Sequence, residues 1–237
     1  MNEEIGVLLI TAASVGFIHT ILGPDHYLPF VVISRARKWS KYKTIWVTIL
    51  SGLGHVLSSV LIGTIGIGFG FALQDLEVVE ASRGEIAAWL MITFGLIYFI
   101  WGLRRAWKSK IHGHSHIHNN GISHNHLHDH HAEHTHIHEE EGTVNLTPWI
   151  LFTIFVFGPC EALIPMLMFP AANESMVGLV LVTIVFGLST ILTMLTVVLV
   201  GIYGVNFIPL GKLEKYTHAI AGLIIFLSGS AIQFLGL

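Results

Sequence analysis

GFIHTILGPDHYLPF, Gly16 to Phe30, sets two histidines and an aspartate around a Gly-Pro inside the first apolar run of the chain. Pro24 has no amide hydrogen and disfavours helical backbone at Gly23, so a helix running into this stretch must open there and free carbonyls. Inside lipid, such a break survives only if it is buried in protein or lines a wet cavity. Ionisable side chains at that depth mark a substrate pathway by default.

The rest of the chain places this stretch in lipid. Of 237 residues, 53% are hydrophobic and 11% charged, with a mean hydropathy of +0.70, which is the composition of an integral membrane protein. Crossing the roughly 30 Å hydrocarbon layer takes about 20 helical residues. Runs of that length are read at about 4–34, 44–73, 84–104, 148–170, 176–204 and 214–236, which predicts an all-α fold of about six transmembrane helices. The opening "MNEE" lacks the basic region of a secretory signal, so the first run is expected to stay as a span. A net charge of −3 argues against a nucleic-acid partner, and a single cysteine excludes an intramolecular disulfide or a dithiol relay within the chain. No catalytic or cofactor-binding residues are read. The expectation is a non-enzyme without a cofactor, its partners being the bilayer and its cargo, with a homo-oligomer left open.

Basic residues set the expected orientation. Arg35, Arg37, Lys38, Lys41 and Lys43 follow span one, Arg104, Arg105, Lys108 and Lys110 follow span three, and Lys212 and Lys215 precede span six, whereas only Arg83 falls on the other side. By the positive-inside rule, both termini face out and the long 105–147 connection is cytoplasmic, in a multi-pass protein of the plasma (inner) membrane.

That connection divides the chain into a three-helix membrane repeat at 1–107, a histidine-rich loop at 108–146 and a second three-helix repeat at 147–237. Three is odd, so homologous halves would be inverted. Gly23-Pro24-Asp25-His26 with Pro29 parallels Gly158-Pro159-Cys160-Glu161 with Pro165, and Gly52-Leu53-Gly54-His55 with Ser58 parallels Gly187-Leu188-Ser189-Thr190 with Thr193. Matching Gly-Pro breaks in inverted halves point to a midplane binding site. The competing explanation is that glycine and proline serve packing and kinks in membrane helices generally.

Counting about 1.5 Å of rise per residue from the cytoplasmic ends puts His26, His55 and Cys160 roughly 14, 18 and 20 Å deep. Asp25 and Glu161 adjoin them. His19 would lie about 10 Å further out on an unbroken helix, on an access route. Imidazoles with carboxylates and one thiolate suit divalent first-row metals better than magnesium or calcium. With no Lys or Arg in the middle of a span, a cation is favoured over an anion. Blander roles compete: His26 with Asp25 as a buried pair joining helices, His55 as packing, and Cys160 as a small hydrophobe. His218, at the end of span six, is not counted as a ligand.

Twelve of the 16 histidines fall in the loop: His112, His114, His116, His118, His124, His126, His128, His130, His131, His134, His136 and His138. Without an apolar core this reads as a flexible segment that binds divalent metal at multiple weak, interchangeable sites, for buffering or sensing.

The motifs "HTILGPDH", "LGH" at Leu53–His55 and "GPCEALIP", with the histidine loop, resemble the nickel/cobalt transporter superfamily, which includes urease-accessory permeases and histidine-loop efflux proteins. Its signature has four residues between histidine and Asp-His, where this chain has five between His19 and Asp25. The resemblance implies nickel or cobalt as substrate and secondary transport, while ligand chemistry alone also allows zinc or manganese. The leading expectation is therefore a secondary transporter of divalent transition-metal cations that binds the ion at His26, Asp25 and His55, with His19, Cys160 and Glu161 as further ligands. Two alternatives stand beside it. One is a membrane sensor or store in which only the loop matters. The other is a membrane transporter of thiols or sulfur compounds, a class whose disulfide carriers would need a second membrane cysteine.

Overall fold

In the computed structural model the described residues are 2–108, two strands at 112–117 and 123–128, and 146–236 apart from 159, 161, 173–174 and 208–210. The membrane body is all-helical. In chain order the elements are α1 (Asn2–Leu22), a 3₁₀ turn (Pro24–His26), α2 (Leu28–Ala36), α3 (Lys41–Gly68), α4 (Leu73–Lys108), strands β1 (His112–Ile117) and β2 (Ser123–His128), α5 (Thr147–Phe157), α6 (Leu163–Ala172), α7 (Met176–Asn206), a second 3₁₀ turn (Gly211–Tyr216) and α8 (Thr217–Leu235).

Among the described residues, five helices are long and apolar enough to cross a membrane, within α1, α3, α4, α7 and α8. Of the six expected runs, the one at 148–170 holds no single helix of that length, for a physical reason. The run at 148–170 is split at Gly158, leaving α5 and α6 with 11 and 10 residues, each only about 16 Å long and too short to cross alone. The run at 4–34 is likewise interrupted: α1 stops at Leu22, the Gly23 amide donates to His19 O at 3.0 Å, and the chain turns through Pro24–His26 before α2 begins.

Local chemistry sets the other ends. Ser40 caps α3 by accepting from the Lys43 amide at 3.2 Å, and Ser175 caps α7 by accepting from the Gly178 amide at 3.1 Å. At the end of α2, Lys38 takes a left-handed φ of 49° and the Trp39 amide reaches back to Ser34 O at 2.8 Å. α4 starts about three turns before the hydropathic run at 84–104. Asp75, Glu77 and Glu80 lower the hydropathy there, yet Leu76, Glu80, Arg83, Gly84 and Ala87 form one buried stripe at helical spacing.

The halves of the chain interlock: α1 packs on α7, α4 on α8, and α3 on α5. One core gathers Phe30 and Ile33 of α2, Tyr98 of α4, Phe155 of α5 and Ile225 of α8. A second surrounds Ala12, Val56, Leu163, Leu167 and Phe186. Outward faces carry exposed leucines such as Leu57, Leu61, Leu188 and Leu192, a surface suited to acyl chains rather than water.

β1 and β2 pair antiparallel with His112 opposite His128, His114 opposite His126 and His116 opposite His124. This part of the expected flexible loop therefore forms a two-stranded antiparallel ladder. His118, His130, His131, His134, His136 and His138 lie outside the described residues.

Candidate functional site

The break after α1 brings three imidazoles together. His19 sits in the last turn of α1, His26 in the 3₁₀ turn and His55 midway along α3. The ring centroids of His26 lie 4.8 Å from His19 and 5.1 Å from His55, and those of His19 and His55 are 6.5 Å apart. His26 and His55 are each only 3% exposed. His19 was expected about 10 Å nearer the outside. It joins the cluster because the chain folds through the Gly23-Pro24 break instead of continuing as helix.

Hydrogen bonds fix the rings. His26 Nδ1 lies 3.1 Å from Asp25 Oδ1 and 3.2 Å from Gly23 O, and His55 Nδ1 lies 3.3 Å from Phe155 O. All three partners are acceptors, so both Nδ1 atoms carry a hydrogen. The Nε2 atoms of His19, His26 and His55 are buried and make no hydrogen bond. A cavity of about 640 Å³ opens beside them, lined by these rings and Asp25, by Gly84 and Glu85 of α4, and by Phe155 and Gly158 of α5 and its break. Every polar side chain of the cluster comes from the first half of the chain. The second half contributes backbone, apolar wall and the Gln233 side chain.

Of the remaining expected ligands, Asp25 and Cys160 are among the described residues. Cys160 is fully buried in the second core, and its amide donates to Ser59 Oγ at 3.2 Å and Glu80 Oε2 at 3.1 Å. It is not among the cavity-lining residues or the ring cluster, because the break turns its amide toward α4. Glu161 lies outside the described residues. Asp25 orients His26 and is not part of the three-nitrogen group. His218 Nδ1 instead lies 2.8 Å from the Tyr98 hydroxyl, which accepts from Arg37 Nε at 3.0 Å.

A second buried polar group was not foreseen. Glu80, fully buried, pairs with Arg83 one turn along α4. Arg83 donates to Ser58 Oγ at 2.7 Å, Ser59 Oγ at 3.1 Å, Val156 O at 2.8 Å and Gly158 O at 3.3 Å. Ser59 donates to Glu80 Oε2 at 2.9 Å. The carbonyls freed at the end of α5 are thus taken by Arg83, and the first amide beyond the break by Glu80. Arg83 was expected in an outer connection, and no span was expected to hold a cation in its middle. A buried arginine is present, but its charge is matched by Glu80. The available signal was the i, i+3 spacing of Glu80 and Arg83 on the stripe with Leu76 and Ala87.

The fold and site define a multi-pass integral membrane protein whose interrupted helices line a cavity that carries three histidines. The cytochrome c biogenesis protein transmembrane region family matches residues 28–231, and the chain belongs to that family. No curated protein and no solved structure matches it. The match overturns the nickel/cobalt superfamily resemblance and, with it, nickel and cobalt transport as the function. The motifs behind that resemblance are short, and the His19 to Asp25 interval departs from its signature by one residue.

Proposed function

We propose that this protein carries a small thiol or other sulfur-containing solute across the membrane. One observation carries the reading: membership, over residues 28–231, of a membrane family tied to cytochrome c biogenesis and thiol–disulfide transport. An electron relay within the chain needs two thiols that can exchange, and the sequence holds one cysteine, buried and away from the cavity. A solute passing whole needs only a pathway. The 640 Å³ cavity between the two helix breaks is large enough for a small organic molecule.

In this reading the halves are inverted repeats. The breaks at Gly23-Pro24 and Gly158-Pro159 act as hinges about which the two sides of the cavity open in turn. The histidine loop faces the cytoplasm of a plasma-membrane protein by the basic-residue bias. The protein does no covalent chemistry on its cargo.

The test is uptake of a radiolabelled low-molecular-weight thiol into proteoliposomes containing a trapped chromogenic disulfide. Label and colour should enter together, with initial rates at least several-fold above protein-free vesicles, and His26→Ala should lower both together. Colour without label would mean electron transfer through another chain and overturn solute transport. So would label entry no faster than in protein-free vesicles.

A further inference from the structure

Three buried Nε2 atoms without a hydrogen-bond partner belong to His19, His26 and His55, whose side chains line one cavity. In two of the rings the hydrogen is committed to Nδ1, because Asp25 Oδ1, Gly23 O and Phe155 O can only accept. In the neutral rings Nε2 of His26 and His55 is then a bare lone pair. Buried acceptors with no donor are costly. An electron-pair acceptor between them removes the conflict.

The geometry suits such an acceptor. One ligand atom from each ring lies within 4.8 Å of the other two. Nitrogens bound to one tetrahedral ion at about 2.0–2.1 Å sit about 3.4 Å apart, so closure needs a contraction of up to about 1.4 Å. His19 and His26 flank the Gly23-Pro24 break, where the absence of helix lets one ring approach the other. A carboxylate or carbonyl on the far nitrogen is also the arrangement that fixes the tautomer of a metal-bound histidine and raises its basicity. The adjacent Asp25 carboxylate supplies negative charge without taking a coordination position.

We propose that His19, His26 and His55 hold one resident divalent first-row ion, zinc or copper by ligand type, through their Nε2 atoms. Three imidazoles leave a further coordination position, and it opens on the cavity the rings line. A thiolate is a natural ligand for that position, which would make the ion a recognition element for the solute proposed above. The metal site itself does not depend on that solute.

Full-length protein in nanodiscs would be loaded with Co²⁺, washed with a chelator strong enough to strip the histidine loop, and assayed for retained cobalt with no thiol present. One equivalent per chain should remain, with the visible absorption of four-coordinate cobalt. It should fall at least tenfold in His19→Gln, His26→Gln and His55→Gln but not in His112→Ala. Helix content and melting would be followed in parallel. His55→Cys keeps a ligand and should retain the ion while adding a sulfur-to-cobalt charge-transfer band, an outcome that misfolding cannot produce. Retention unchanged in the three glutamine variants, no retention in the wild type, or cobalt held by His55→Cys without the new band would each overturn the site. Failed retention alongside intact thiol uptake would remove the ion and leave the transport reading standing.

Discussion

At the scale of single residues, the site depends on what the break at Gly23 excludes. A Cβ at Gly23 would run into His26 Nδ1 and Asp25 Oδ1. Gly23→Ala must therefore push the carboxylate and imidazole apart or shift the turn, at about 1–3 kcal/mol. Thiol uptake should fall while the protein still inserts, which proteoliposome flux and reconstitution yield would report separately. The Glu80–Arg83 pair is a sharper case. Both side chains are buried, and between them they satisfy Ser58, Ser59, the Cys160 amide and the Val156 and Gly158 carbonyls. Arg83→Met strands the Glu80 charge and should destabilise by about 3–5 kcal/mol. Adding Glu80→Gln should recover part of that loss. Melting of both variants in detergent checks the order, and a double variant no more stable than Arg83→Met would contradict it.

At the scale of elements, α4 and α8 are held by close backbone approach. A Cβ at Gly222 would overlap the Phe99 amide nitrogen, and one at Gly95 the Phe226 amide nitrogen. Backbone cannot move aside as the tip of a side chain can, and in lipid such small-residue contacts, rather than hydrophobic exclusion, bring helices together. Gly222→Val should lower the melting temperature in detergent by several degrees or abolish assembly. Gly204→Ala, on an exposed part of α7 with nothing within 4 Å of the new methyl, should be neutral or stabilising by up to about 1 kcal/mol. Similar losses in both variants would mean that the contact is not what matters. Hydropathy alone could not find this interface, since glycines contribute little to it. The buried stripe of α4 was hidden for the related reason that its acidic residues end the apolar run.

At the scale of the whole molecule, the described residues of both cores come from the helices on either side of the histidine-rich segment. Deleting residues 109–145 and bridging the gap with a flexible linker should leave helix content and melting of the membrane body within error. A large loss of helical signal by circular dichroism would show that the segment supports the fold. The helices need one another across the middle of the chain, because α1 packs on α7 and α4 on α8. Neither half is therefore expected to reach its helical content when expressed alone.

Composition by itself determined a membrane protein, because burying this much apolar side chain has no other economical solution. Gly23-Pro24 and Gly158-Pro159 determined where the backbone must stop being helical, since the missing proline amide acts within a few residues. Counting residues also put His26 and His55 at similar depth, because rise along a helix is a one-dimensional quantity. The tertiary structure decided which of the groups at that depth meet. Rotation about the helix axes and the fold-back at Gly23 bring His19 into the cluster, turn the Cys160 amide toward Ser59 and Glu80, and draw the cavity's imidazoles and Asp25 from one half of the chain. Those directions arise from packing between helices far apart in sequence, which no local pattern encodes.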